Sequence, residues 1–80
     1  MKDGNQNQHR VVVDACGLSC PEPVIMSMAA MDAAESGTSI EVLVDTAASR
    51  NNVLLAARQR GWEGAYEEDA DGTFHVILRK

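Results

Sequence analysis

Hydrophobic positions along the chain change period several times, and each change marks an element. Arg10 to Ala15, RVVVDA, is a short β-branched run that reads as a first strand. Cys16 to Ser19 reads as a turn with Gly17 as its permissive residue. From Pro21 the spacing becomes helical: Val24, Ile25, Met28, Ala29 and Met31 form a broad stripe expected to face a core, and Gly37 is expected to stop the helix. Ser39 to Asp45 alternates, with Ile40, Val42 and Val44 on one face of a strand. Asp45 or Thr46 is then placed to cap a second helix running to Arg60, with Val53, Leu54, Ala56 and Ala57 on its apolar side and Gly61 ending it. Trp62 to Glu68 and Thr73 to Arg79 read as two further strands, joined by DADG with Asp71-Gly72 as the hairpin signal.

The resulting order is βαβαββ. An α+β chain of this order is expected to form a two-layer α/β sandwich, a four-stranded mixed sheet with both helices on one face. Residues 10–80 are expected to make a single domain. Residues 1–9, MKDGNQNQH, are polar and aperiodic and read as a disordered lead-in.

Composition narrows the function classes. A chain of 80 residues with 45% apolar and 24% charged residues can build one small core without staples. Two cysteines are too few for a disulfide scaffold, and no charged-then-apolar leader opens the sequence. The expectation is a cytoplasmic protein with free thiols. The longest apolar run, Val24 to Met31, is broken by Ser27 and is too short to span a bilayer, so no membrane partner is expected. A net charge of −5 with seven scattered basic residues argues against direct nucleic-acid binding. No metal is expected either: His9 and His75 lack zinc-site spacing relative to the cysteines.

Both cysteines fall in CGLSCPEP, Cys16 to Pro23. If the first helix begins at Pro21, Cys20 stands at its N-terminus, where the helix dipole favours a thiolate. Pro21 and Pro23 remove two N–H groups there and Glu22 adds an opposing charge, so the activation is modest. The two prolines instead supply rigidity, which suits a carrier thiol better than a catalyst. The bland alternative is that cysteine behaves as a small buried hydrophobe, and for Cys16, after a Val-rich strand, this reading leads. Cys16 is also a candidate resolving thiol that could close a Cys16–Cys20 disulfide if the turn brought the two Cα atoms close enough. Asp45, Asn51 and Asn52 are candidates for a polar rim, because the loop before the second helix belongs at the same sheet end as Cys20.

VDACGLSCPEPVIM resembles the signature of the TusA-like (SirA/YedF/TusA) family, Asp-x-x-Gly-Leu-x-Cys-Pro-x-Pro, with Asp14, Gly17, Leu18, Cys20, Pro21 and Pro23 on the motif positions. The resemblance extends from Arg10 to Lys80. It implies a sulfur carrier without a cofactor: Cys20 holds a persulfide received from a donor enzyme, such as a cysteine desulfurase or a rhodanese-like protein, and passes the sulfur to an acceptor protein. A monomer is expected. Family members docking through a basic first helix differ from this chain, which has Ser27, Met28, Ala29 and Ala30 there. The Ser-x-Asn-Asn and Ala-Arg-x-x-Gly elements of the second helix are similar to the YedF branch. The rival readings are a binding or regulatory module that docks through its first helix, and a Cys16–Cys20 dithiol redox protein.

Overall fold

The structure, a computed structural model, describes residues 9–19, 21–35 and 37–80. Met1 to Gln8 of the expected lead-in lie outside the described residues. Six elements follow the expected order: β1 (His9–Asp14), α1 (Glu22–Ala33), β2 (Thr38–Val44), α2 (Ala47–Gln59), β3 (Glu63–Glu68) and β4 (Phe74–Arg79). The strands form one sheet in the order β1-β2-β4-β3, with β1 and β2 parallel and the other two neighbouring pairs antiparallel. His9, placed by its sequence in the lead-in, is instead the first residue of β1, where it pairs with Thr38.

Period-two alternation places the core. Ile40, Val42 and Val44 on β2 and Phe74, Val76 and Leu78 on β4 turn to one face, where α1 and α2 cover them. Because β2 and β4 are the two central strands, their inward side chains are enclosed on every side. Trp62 sits one residue ahead of β3 rather than within it, and is buried in the same cluster. The chain reaches Trp62 through a tight helix end: Gly61, at φ 81°, donates its N–H to the Arg58 carbonyl and Trp62 donates to Ala57. That pair of bonds is a Schellman motif, and the left-handed residue inside it favours glycine. Gly64 on β3 serves packing instead: a Cβ there would lie 2.7 Å from Leu54 Cδ2, so its absence lets α2 approach the edge strand.

Helix α1 departs from its expected phase. Its buried residues are Pro23, Ser27 and Met31, flanked by half-buried Val24, Met26, Met28 and Ala30, while Ile25 is 57% exposed and Ala29 also faces outward. The helix is apolar nearly all round, so hydrophobicity could not fix its rotation, and Ser27 marked the wrong side. A serine tolerates burial here because its hydroxyl donates to the Pro23 carbonyl at 2.7 Å, one turn earlier. The helix also ends at Ala33, before Gly37, which lies at φ 87° in the turn entering β2.

The opposite face of the sheet carries Glu41, Leu43, His75, Ile77 and Arg79, as the strand register requires. There His75 is held between two carboxylates: Nδ1 lies 2.6 Å from Glu41 and Nε2 2.6 Å from Asp69, and Arg10 lies 3.4 Å from the other Glu41 oxygen. A ring with an acceptor at each nitrogen is favoured with both protons on. The hydrogen bonds that its ring donates to Asp69 and then Glu41 therefore push its pKa up to about 9. A raised folded-state pKa stabilises the fold fully below the unfolded value of about 6.5 and loses that contribution as pH climbs through about 9. The urea midpoint will therefore fall between those pH values in the wild type, and the fall will be smaller in His75→Gln.

Candidate functional site

Parallel pairing of β1 with β2, and antiparallel pairing of β4 with both β2 and β3, bring the C-terminal ends of β1, β2 and β3 to one end of the sheet. The turns leading into both helices and the Asp69–Thr73 connection therefore gather there. This is the end at which the Cys16 to Pro23 segment crosses from β1 to α1.

Two carboxylates anchor that crossing. Asp14, the last residue of β1, accepts the Cys16 N–H at 3.1 Å through its Oδ1. Asp45, in the loop between β2 and α2, accepts the Gly17 N–H at 2.9 Å through its Oδ2. Gly17 stands at φ 79°, left-handed backbone that a residue with a Cβ adopts at a cost, which is why glycine suits this position. Leu18 is half-buried and packs its side chain on the core. Ser19 accepts the Glu22 N–H through its carbonyl at 2.9 Å, and Pro21 accepts from Ile25 at 3.0 Å, which starts α1. Pro21 is the N-cap rather than the first helical residue; Glu22 is exposed in the first turn and Pro23 is buried. Cys20 itself lies outside the described residues, and with it the proposed Cys16–Cys20 pairing.

The three rim candidates separate. Asp45 does not cap α2; that role falls to Thr46, whose Oγ1 accepts the Ser49 N–H at 3.1 Å, leaving the Asp45 carboxylate for Gly17. Asn52 lines a groove together with Pro21. Asn51 receives two hydrogen bonds from the Arg50 guanidinium, at 3.0 and 2.9 Å. That guanidinium also stacks over Tyr66 and Phe74, 4.4 and 4.8 Å from the ring centroids. Sequence reasoning missed this cluster, because an Arg one turn into a helix carries no sign that two aromatic residues of a later hairpin lie beneath it.

Cys16 is a free thiol whose side chain reaches solvent, yet its pKa is raised. Packing around the sulfur is the largest cause, followed by the negative charges of Asp14 and Asp45, a hydrogen bond with Asp14, and Asp71 across the same sheet end. All of these act against the thiolate, so Cys16 stays protonated near neutral pH and is a weak nucleophile. Among the described residues, no three His, Cys, Asp or Glu side chains converge as a metal site requires.

The Asp45 anchor has a measurable consequence. Asp45→Ala leaves the Gly17 N–H to water and will cost about 0.5–1.5 kcal/mol, whereas Asp45→Asn keeps an acceptor oxygen and will recover most of the loss. Amide hydrogen exchange at Gly17 will be faster in the Ala variant and near wild type in the Asn variant.

A family model described as Sulfurtransferase TusA matches residues 11–80. The sulfur carrier protein TusA of Allochromatium vinosum is 29% identical over 68 residues, 85% of this chain and 90% of that protein. YedF of Escherichia coli K12, named as a candidate sulfur carrier protein, is 36% identical over 68 residues, 85% of this chain and 88% of its own length. The crystal structure of a SirA-like protein from Desulfitobacterium hafniense superposes with a TM-score of 0.77 at 35% identity, covering 85% of this chain and 93% of that one. With its sheet order, its anchored β1–α1 crossing and these matches along most of its length, the chain belongs to the TusA family.

Proposed function

We propose that this chain is a sulfur carrier in which Cys20 holds the sulfur as a persulfide. Cys20, as thiolate, attacks the outer sulfur of a donor persulfide R–S–SH. A new S–S bond forms at Cys20, the donor's S–S bond breaks, and its electron pair leaves on the donor thiolate. The outer sulfur carries its proton across, so no external oxidant or reductant is needed. The reverse step, on an acceptor thiol, unloads the carrier. The donor is a desulfurase or a rhodanese-like enzyme, and the chain works as a monomer in a reducing cytoplasm.

The observation that carries this reading is the anchoring of the segment that bears Cys20. Asp14 and Asp45 fix its start, the Ser19–Glu22 bond spans the cysteine, and buried Pro23 fixes its end. The relatives named as sulfur carriers support it. The test is intact-mass measurement of the chain after exposure to a persulfide donor. Gain of one sulfur atom at Cys20, removed by dithiothreitol, is the expected result. Loss of two hydrogens with a Cys16–Cys20 bond would support the dithiol reading, and an unmodified chain would leave a binding module.

A further inference from the structure

Residues of both helices form an open groove that starts at Pro21, the residue after Cys20. Pro21, Val24 and Met28 supply one wall, three and four residues apart on α1; Asn52, Leu55, Ala56 and Gln59 supply the other at the same helical spacing on α2. Among the described residues, no charged side chain lines it. Leu55 is 53% exposed, and neither burial in the core nor the sulfur chemistry of Cys20 accounts for it. The groove runs from Pro21, beside the carrier segment, to Met28 and Gln59, close to the Arg60–Asp32 pair that joins the C-terminal ends of the helices.

Among the described residues, acidic side chains outnumber basic ones around the end beside Pro21. Glu22 begins α1, which contains no Lys or Arg, and Asp14, Asp45 and Asp71 stand close enough to Cys16 to bear on its thiol. Arg50, the basic residue nearest this end on α2, is engaged by Asn51 and by the Tyr66 and Phe74 rings. Arg58 lies at the far end, in the last turn. A second copy of the chain would bring an equal acidic end and a net −5 against this one, which opposes self-association here.

Resting on the carrier reading above, we propose that the groove between α1 and α2 docks a segment of the sulfur-donor protein that is apolar at its tip and basic around it. The apolar tip covers Leu55, Val24 and Met28, and the basic residues meet Glu22 and the aspartates of the loop end. Docking along the groove would bring the donor's persulfide to the residue beside Pro21.

Loading rates of the full chain, read by intact mass, test this with three donors. Two are short peptide persulfides with leucines next to the cysteine, one flanked by arginines and the other by glutamates; the third is the small neutral 2-hydroxyethyl persulfide. At about 0.01 M ionic strength the arginine peptide is expected to load about tenfold faster than the glutamate peptide, with the difference largely gone near about 1 M. In Leu55→Asn the rate of the arginine peptide relative to the small donor is expected to fall roughly fivefold. Equal rates for the two peptides, or a ratio untouched by Leu55→Asn, overturn the docking proposal while loading by the small donor upholds the carrier. A wild-type dimer that Leu55→Asn turns into a monomer overturns it too, since a second copy then fills the groove. No loading from any donor overturns the carrier reading, and the docking proposal with it.

Discussion

Cys20→Ser will take up no sulfur from any persulfide donor, while Cys16→Ser will load at close to the wild-type rate. The two cysteines are four residues apart, one after a strand and the other ahead of a helix. Cys16 follows β1 and faces Asp14, Asp45 and Asp71, whose charges, together with packing around the sulfur, raise its pKa. A thiol held protonated is a poor attacking group and a poor resolving group. Cys20 precedes a twelve-residue helix, whose N-terminal dipole favours an anion. Serine is close in size to cysteine, so neither replacement should disturb the fold, and intact mass with peptide mapping reads the outcome directly. Loading lost in Cys16→Ser, or a captured Cys16–Cys20 disulfide that vanishes in either variant, would return the chemistry to a dithiol. Loading retained in Cys20→Ser would remove Cys20 from the mechanism.

Much of this architecture was legible in the residues, for reasons that vary by element. β2 and β4 could be placed because alternation is unambiguous when one strand face is enclosed: Ile40, Val42, Val44 and Phe74, Val76, Leu78 all turned inward as their period demanded. The end of α2 was legible through Gly61, whose left-handed conformation the Schellman bonds require. The rotation of α1 was not, because a helix apolar on nearly every side leaves its phase to tertiary packing, and the Ser27 hydroxyl found its partner within the helix. The candidate site was legible in part. Gly17, Leu18 and the two prolines belong to one β1–α1 crossing by their order in the chain, but the partner of Gly17 came from 28 residues away. Both Asp45 and Thr46 were plausible caps in the sequence; only the spatial nearness of the β1–α1 crossing explains why threonine caps the helix and aspartate turns away. The groove at Leu55 was likewise invisible, since its walls belong to two helices whose facing sides no single-helix pattern reveals.

The corrected rotation of α1 leads to a contrast between two apolar truncations, with the largest expected effect on stability. Leu78→Ala will cost about 2–5 kcal/mol, the range for large-to-small changes at enclosed core sites. Leu78 has no solvent exposure, pairs with Ile40 on the neighbouring central strand, and reaches across to Gly64 on β3, where Leu54 also packs. Removing its side chain opens a void that β2 and β4 cannot close without breaking their shared register. Ile25→Ala removes a similar volume from α1, yet that side chain is 57% exposed, so the change is expected within about 0.5 kcal/mol. An 80-residue domain has roughly 4–12 kcal/mol of stability in all. The first variant should therefore melt roughly 10 °C or more below the wild type, and the second within a few degrees of it. Thermal denaturation followed by circular dichroism distinguishes them. Equal losses at the two positions would mean that Ile25 faces the core after all, and with it that α1 is turned about its axis from the arrangement that buries Pro23, Ser27 and Met31. That turn would also carry Val24 and Met28 away from Leu55, so the same pair of melting curves bears on whether the groove beside the carrier segment exists.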